Sequence, residues 1–333
     1  MVMTAARRKA MKSLCAHSGS ATGLAGSSAA IALAAIDSKV PVIVVGDSLD
    51  DAGYLYFDLC RILGEENVAI LPSGFKRDIK YGQVDPPNQI LRTETLTRLS
   101  AGTVRFVVTY PDAIAECVAS REDIQAHTIT LRKDSKADMR QTEQWLKDNG
   151  FKETDYVYEP GQYAIRGSIF DIYGYSDELP YRLDFFGDEI DSIRTFNVET
   201  QLSESRLDSV DITANVSHRG QLQSILDFID PSSIIAFRNQ SLTLERLHTI
   251  KETDVSAFTL LTEDGDPDAL ELVIDPSDFE NHLAGFKRLG FTAAKPGEDH
   301  TPARSRATTT MAFDCTPQGV YHKNFDIIAE SFT

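Results

Sequence analysis

GLAGSSAAIALAAIDSKVPVIVVG, residues 23–46, runs from a glycine-containing turn through a helical stretch into an apolar strand. Nucleotide-binding proteins use this order to build a phosphate-binding loop, G-x-x-x-x-G-K-[ST], whose lysine reaches the outer phosphates and whose hydroxyl holds magnesium. Aligned on Gly23, the last three positions of that motif are taken by Ser28, Ala29 and Ala30. The stretch therefore predicts a phosphate-loop type of α/β fold in which the loop is degenerate.

The rest of the chain offers no replacement for the lost catalytic groups. The apolar run VRFVVTYPDAI, residues 104–114, has Tyr110 and Pro111 where an ATPase would have Asp and Glu. Ser27 or Ser28 is expected to cap a helix instead of binding a nucleotide. We therefore expect no catalytic residue in a degenerate loop made of Gly23, Gly26, Ser27, Ser28, Ala29 and Ala30.

Histidine and cysteine usage argues against a metal or a disulfide framework. The seven histidines fall singly, and the four cysteines are scattered without a C-x-x-C pair. This pattern predicts no metal, no cofactor and a reduced, cytoplasmic protein. No apolar run reaches the roughly 18 residues that a membrane span requires.

Length and charge limit the function further. The chain has 333 residues, too many for one ordinary core, and 42% of them are hydrophobic, which is typical of a globular protein. Its formal net charge of −17 opposes a simple nucleic-acid reader, which needs Lys and Arg to displace counterions from phosphate. A local basic patch is still compatible with this composition.

Three zones follow one another along the chain. Residues 1–118 contain the degenerate loop and apolar runs typical of buried parallel strands, such as VPVIVVG (40–46) and NVAIL (67–71). Residues 119–197 change to a helix, KADMRQTEQWLKDNG, and close antiparallel strands. Residues 198–333 return to helices and short strands. We predict an α/β domain in two segments, 1–118 and 198–333, interrupted by an α+β module at 119–197.

One long run within the module carries a family resemblance. YEPGQYAIRGSIFDIYGYSDELPYRLDFFGDEIDSIRTFNVETQ, residues 158–201, resembles the middle module of UvrB-like proteins, and more closely that of bacterial transcription-repair coupling factors. The family pattern reads P-G-[QE]-[YF]-A-x-R-G, [IL]-D-[IL], P-[YH]-R-[IL]-[ED]-F-F and D-E-[IV]-[ED]-S-[IL]-R-x-F-[DN]-x-[ED]-[TS]-Q. The matching positions are Pro160, Gly161, Tyr163, Arg166, Gly167, Asp171, Pro180, Arg182, Phe185, Phe186, Asp188, Glu189, Arg194, Phe196 and Gln201.

The resemblance, strong over about 20–215, implies a function as well as a fold. It implies the N-terminal UvrB-like region of such a factor: an adaptor that recruits the damage sensor UvrA to stalled RNA polymerase for nucleotide excision repair. The family's ATP-dependent translocase activity, and its contacts to RNA polymerase and DNA, would reside in other domains, which this chain lacks. The resemblance further implies that Arg166, Arg182 and Phe186 contact UvrA, with Arg194 as a neighbour.

Strand alternation leaves two interpretations of these residues open. In YRLDFF, Arg182 and Phe186 share one face of the strand and Leu183 and Phe185 the other. An outward arginine beside an aromatic residue is typical of a protein-binding hot spot. Alternatively, Arg182 forms an intramolecular salt bridge and Phe186 lies in the core. The resemblance favours recognition.

Two other functions compete with the adaptor. A UvrB-like, ATP-dependent excision-repair subunit would need an intact phosphate loop and an aromatic-rich hairpin that inserts into DNA. The corresponding stretch, residues 72–90, offers only Phe75 and Tyr81 as aromatic residues. A small-molecule-binding α/β protein would not need the long module match. The adaptor is the interpretation that the sequence favours.

Overall fold

A computed structural model describes residues 18–75, 85–216, 221–254, 272–293 and 309–315. Its strands, in chain order, are β1 (Gly19–Thr22), β2 (Val42–Val45), β3 (Val68–Ile70), β4 (Phe106–Thr109), β5 (Val118–Ala119), β6 (Thr128–Arg132), β7 (Lys152–Glu153), β8 (Gln162–Arg166), β9 (Ile169–Tyr173), β10 (Tyr181–Phe186), β11 (Glu189–Phe196), β12 (Ser203–Leu207), β13 (Ser209–Thr213), β14 (Leu222–Gln223), β15 (Ile234–Phe237), β16 (Lys287–Phe291) and β17 (Thr309–Ala312). The α-helices are α1 (Ser28–Ala34), α2 (Leu49–Leu63), α3 (Pro86–Ala101), α4 (Pro111–Ala115), α5 (Arg121–Ala126), α6 (Met139–Asp148), α7 (Ile225–Phe228), α8 (Gln240–Thr249) and α9 (Pro276–Leu283).

A seven-stranded parallel sheet is the largest element. Its order is β17-β1-β16-β15-β2-β4-β3, so strands from the beginning and the end of the chain alternate within one sheet. This confirms the predicted α/β domain in two segments. We call this sheet, with the helices that cover it, the frame.

The frame has a helical layer on each face of the sheet. Val42 and Val44 point into a core shared with α1 and α2, whereas Ile43 and Val45 point into a second core shared with α3, α7, α8 and α9. Successive residues of a strand face opposite sides, so a strand covered on both sides must be apolar throughout. This explains the unbroken apolar run that preceded Gly46 in the sequence.

A second, mostly antiparallel sheet forms the inserted module. Its order is β12-β11-β10-β9-β8-β7, and a two-stranded ribbon of β6 and β13 accompanies it. Helix α6 is the helix predicted from KADMRQTEQWLKDNG; Asp138 caps its start and Gly150, at φ +81°, follows its end. The module has its own core, which includes Leu146, Phe170 and Leu183.

The module extends beyond the predicted boundary at residue 197. Strand β12 pairs with β11, and β13 pairs with β6, so residues 203–213 belong to the module's sheets. Val210, Ile212 and Ala214 lie in the module core, whereas Ile124 and Val216 lie in the frame core. We propose that the module comprises residues 127–216, and we use the word module for that range below.

The two chain crossings between frame and module run side by side. Strand β5, on the way into the module, pairs antiparallel with β14, on the way out. The Ser120 amide donates to the Gln221 carbonyl at 3.2 Å, and the Gln221 amide donates to the Asp123 carboxylate at 2.8 Å. A short paired neck therefore joins the two parts.

The module also touches helix α3 of the frame. The Asn215 side chain donates to the Gln89 side chain at 3.2 Å, and the Tyr181 hydroxyl donates to Asp177 at 2.7 Å. Burial, reinforced by Glu94 of α3 and by Asp211, raises the pKa of Asp177 to about 7. This joint therefore brings carboxyl groups of both parts close together.

Because the module core is closed within residues 127–216, we predict that this fragment folds by itself. The single tryptophan of the chain, Trp145, packs near Phe151 with ring centroids 6.3 Å apart and reports on this core. We expect cooperative urea unfolding of fragment 127–216, followed by Trp145 fluorescence. Fragment 127–197, which lacks β12 and β13, should unfold at lower urea or without a transition. Equal unfolding midpoints for the two fragments would contradict the proposed boundary.

Candidate functional site

The degenerate loop is closed by neighbouring strands of the frame. Gly23 has φ +71°, and a Cβ atom at this position would overlap the carbonyl oxygen of Phe313. The Leu24 amide donates to the Thr292 carbonyl at 2.9 Å, and the Gly23 carbonyl accepts from the Cys315 amide at 3.3 Å. Backbone groups of the loop that could hydrogen-bond to a ligand are thus hydrogen-bonded to neighbouring backbone groups of the frame.

Helix α1 begins without the predicted serine cap. Ser27 is the N-cap residue, but its side chain makes no capping hydrogen bond. The Ser28 hydroxyl donates to the Ala25 carbonyl at 2.7 Å instead of accepting an amide, so the predicted capping is wrong. Ala29 and Ala30 are fully buried in the apolar core beneath α1 and α2. The two positions that would carry the lysine and the magnesium hydroxyl therefore point into packed apolar side chains.

The one fully buried acid near the end of β4 serves the fold. Glu116 accepts a hydrogen bond from the Gly74 amide at 2.8 Å and another from the Ser73 hydroxyl, and it lies 3.3 Å from the Arg92 guanidinium. The Tyr110 hydroxyl accepts from the Ser73 amide at 2.9 Å. Burial raises the pKa of Glu116. This cluster fastens the turn at residues 72–75, and sequence reasoning missed it because its members are far apart in the chain.

Of the two aromatic residues in the stretch at 72–90, the structure describes only Phe75. Phe75 is buried, so it is not presented for insertion into a partner. Tyr81 lies outside the described residues. Within the described ranges, no three His, Cys, Asp or Glu side chains come together as a metal site would require. In the same part of the chain, no helix is long and apolar enough to cross a membrane.

The outer face of the module's six-stranded sheet brings the predicted arginines together around Asp171. The Asp171 carboxylate has 0% exposure, and it accepts from Nε of Arg182 at 2.7 Å and from its Nη2 at 2.9 Å. Arg182 also donates to the carbonyl and side chain of Gln201 at 3.2 and 3.0 Å, and its guanidinium lies 4.2 Å from the ring centroid of Phe196. A bidentate pair of this kind fixes both the position and the plane of the guanidinium.

Arg166 approaches the same carboxylate from β8, on the opposite side of β9 from Arg182. Its Nη2 donates to Asp171, its Nη1 donates to the Asp155 carbonyl at 2.8 Å, and its guanidinium lies 4.9 Å from the ring centroid of Tyr156. Its side chain is 32% exposed, whereas that of Arg182 is 14% exposed. Arg166 is therefore held in place while part of its guanidinium faces solvent.

The strand β10 follows the predicted alternation. Leu183 and Phe185 are buried in the module core, and Phe186 is 84% exposed at the end of the strand. A turn at Gly187 and Asp188 joins β10 to β11. Of the two interpretations, the intramolecular salt bridge of Arg182 is observed, but Phe186 lies outside the core. An exposed phenylalanine on the same strand as an anchored arginine, four residues away, has the composition of a protein-binding surface.

Arg194 is the least anchored of the three predicted arginines. It is the register partner of Arg182 on β11, and its nearest acid is Asp184, at 3.9 Å. Its Nε is inaccessible to solvent and has no hydrogen-bond partner among the described residues. Arg194 therefore lies on the same face as Arg182, with a buried Nε that has no acceptor and a guanidinium held by Asp184 at 3.9 Å.

The structure adds two residues to the site that the sequence reasoning did not assign to it. Asp171 and Gln201 matched the family pattern, but their contacts to Arg182 could not be derived from spacing. Gln201 has φ +58°, a conformation that costs energy for a residue other than glycine. This backbone turn presents both the carbonyl and the side chain of Gln201 to Arg182.

Residues 129–218 match the UvrB interaction domain family, and this match covers nearly the whole module that is inserted into the parallel α/β frame. The chain carrying it is related to the transcription-repair-coupling factors, whose N-terminal portion it resembles. It is 28% identical over 192 residues to that of Bacillus subtilis (strain 168), covering 57% of this chain and 16% of the relative. It is 25% identical over 174 residues to that of Escherichia coli (strain K12), covering 52% of this chain and 15% of the relative.

A further relative covers more of this chain. The transcription-repair-coupling factor of Staphylococcus aureus (strain USA300) is 30% identical over 226 residues, covering 68% of this chain. The matched part spans only 15–18% of the length of these relatives. The comparisons therefore concern a small part of much longer proteins.

The geometry around Asp171 predicts unequal effects of two arginine substitutions on stability. Arg182→Ala removes two hydrogen bonds from a buried carboxylate and should lower the free energy of unfolding of the module by about 3 kcal/mol. Arg194→Ala removes a contact at 3.9 Å between partly exposed groups and should cost less than about 1 kcal/mol. Urea unfolding followed by Trp145 fluorescence measures both values. Arg182→Lys, which keeps the charge but lacks the planar fork, should fall between them. Equal losses for Arg182→Ala and Arg194→Ala would contradict this account.

Proposed function

We propose that the module binds UvrA through its outer face, and that the chain acts as an adaptor in transcription-coupled nucleotide excision repair. The observation that carries this proposal is Phe186, exposed to 84% at the end of the strand that also carries Arg182, within the family-matched range 129–218. An aromatic side chain contributes favourable free energy when an interface buries its apolar surface, and it contributes none while it is exposed to solvent. An exposed phenylalanine therefore has its best use in a complex.

The arginine cluster supports the same surface. Arginine suits protein recognition because its planar guanidinium can donate two parallel hydrogen bonds to a carboxylate and stack on an aromatic ring. Arg166 and Arg182 are already oriented by Asp171, so little side-chain entropy remains to be lost when a partner binds. Tyr156, stacked near Arg166, and Leu202, next to Gln201, are also exposed on this module. Together they form an apolar and cationic surface of the kind found at interface centres.

The similarity to the transcription-repair-coupling factors supports a role in coupling. We propose that the chain is the UvrA-recruiting region of such a factor and works in the cytoplasm. In this proposal, RNA polymerase, DNA and the ATP-dependent translocase belong to other regions of the full-length protein. The UvrA-binding face would then bring the damage sensor to a polymerase stalled at a lesion.

The frame, in contrast, is proposed to have no ATPase activity. Hydrolysis of ATP requires a cation at the transferred phosphate and a hydroxyl that holds magnesium. Ala29 and Ala30 occupy those positions and are buried, and the Gly23 turn is bonded to residues 313–315. Glu116, the buried acid after β4, is fastened to Arg92 and to the turn at residues 72–75. These contacts support a fold that stays closed without a nucleotide, and they disfavour a UvrB-like ATP-dependent subunit.

Removing the exposed aromatic side chain should weaken the UvrA complex. Phe186→Ala should cost on the order of 2 kcal/mol of binding, about a 30-fold rise in Kd, because the lost ring would be buried in the interface. Calorimetric titration of purified UvrA into the chain measures this change. Tyr54→Ala is the matched control, since Tyr54 is a 76% exposed aromatic residue on α2 of the frame. Equal affinities of wild type and Phe186→Ala for UvrA would refute the assigned surface.

Nucleotide should have no effect on the isolated chain. We expect no ATP turnover above a buffer blank and no rise in Tm with 5 mM Mg-ATP. If the chain bound Mg-ATP with a Kd of ~0.1 mM, this concentration would be about 50 times the Kd and would stabilise the fold by about 2 kcal/mol. Both are measured on the wild type and on Gly26→Ala. Turnover that disappears in Gly26→Ala would contradict the prediction, because Gly26 at φ +55° belongs to the degenerate loop.

A further inference from the structure

An arginine row crosses three neighbouring strands of the module's outer face. Arg182 on β10 is the register partner of Arg194 on β11, and Arg194 is the register partner of Arg206 on β12. Residues directly opposite each other on antiparallel strands have Cβ atoms about 5 Å apart on the same face. The row therefore places three cationic side chains side by side, next to the residues described above.

Only one end of this row is neutralised. Arg182 is paired with Asp171, and Arg194 has Asp184 at 3.9 Å and an Nε without an acceptor. Arg206 is exposed and, within the part of the chain that the structure describes, has no hydrogen bond or ion pair of its side chain. Like charges directly opposite each other destabilise a sheet. Arg206 thus bears an electrostatic cost that no contact of its own side chain offsets, and at Arg194 the cost is offset only by Asp184 at 3.9 Å.

The surroundings of the row indicate the class of partner. The whole chain has a formal net charge of −17, so a long polyanion such as a DNA duplex would be repelled by most of its surface. Phe186 and Leu202 are exposed on the same module, at 84% and 68%, and buried apolar contacts together with arginine are typical of protein interfaces. A localised acidic segment of a folded protein therefore fits this surface better than nucleic acid does.

We propose that Arg206, with Arg194, extends the binding face to β12 and selects a partner surface that carries carboxylates opposite this row. The inference deepens the proposed function, on which it rests, by assigning the chemistry of the UvrA surface that meets the module and by adding a residue outside the family pattern. Arg206 acts by attraction at the edge of the interface, whereas Phe186 acts by burial near its centre. An edge charge of this kind raises the association rate and makes it dependent on salt.

The test compares association rates of UvrA with chain variants at two ionic strengths. Arg206→Ala should lower the association rate about fivefold at 50 mM NaCl, and Arg194→Ala/Arg206→Ala about tenfold, with both differences shrinking below about twofold at 500 mM NaCl. Arg206→Glu should lower the rate further than Arg206→Ala. Arg132→Ala is the matched control, because Arg132 is an exposed arginine on β6, outside the six-stranded sheet. Thermal unfolding verifies that each variant is folded.

Each other outcome decides between the two proposals. Absence of UvrA binding by the wild type would overturn the proposed function and this inference together. Binding by the wild type, with unchanged rates for Arg206→Ala and Arg206→Glu at both salt concentrations, would overturn the arginine row alone. Binding of a fluorescent 20-base-pair duplex that is lost in Arg194→Ala/Arg206→Ala would also overturn it, because the row would then serve nucleic acid.

Discussion

The buried carboxylate of Asp171 is the interaction on which the outer face of the module depends. Placing a charge at 0% exposure is costly unless hydrogen bonds and an opposite charge compensate for the lost water. Arg166 and Arg182 supply both, from β8 and β10, the two strands that flank β9. The same bonds hold the two guanidinium groups still. Because the cost of burying Asp171 is offset only when both arginines are in place, the face has one arrangement and is organised before any partner arrives.

This arrangement gives Arg182 two roles that a single substitution cannot separate. Its Nε and Nη2 bind Asp171, and Nη1 and Nη2 reach Gln201, so little of the side chain is available to a partner. Loss of partner binding in an Arg182 variant would therefore report on the order of the whole face as well as on a direct contact. Phe186 and Arg206, which make no comparable contacts within the module, are better probes of recognition. The distinction follows from exposure and hydrogen bonding, not from sequence similarity.

The sequence predicted the layers of the fold better than the contacts within them. Apolar runs such as VPVIVVG predicted the parallel strands because both faces of that sheet are buried, and period-two alternation predicted that Leu183 and Phe185 point inward. The module boundary was predicted too early because β12, SESRL, is polar and has no alternation that separates it from a loop. Asp171 matched the family pattern, but its ion pairs depend on strand register, which spacing along one chain does not contain. Arg206 lies outside the pattern altogether, and only its pairing with Arg194 reveals the row.

The degenerate loop has the strand, turn and helix order of a phosphate loop, but its residues contact other parts of the frame. In a working phosphate loop, glycines let the backbone approach a ligand, and the cation and hydroxyl point toward it. Here Gly23 lets the backbone approach the Phe313 carbonyl, and Ala29 and Ala30 fill the space under α1 with apolar atoms. Burying the alanine side chains at these positions stabilises the frame, whereas burying a charged lysine there would destabilise it. These contacts hold the turn closed by residues of the chain itself, and the frame also holds the paired neck that joins it to the module.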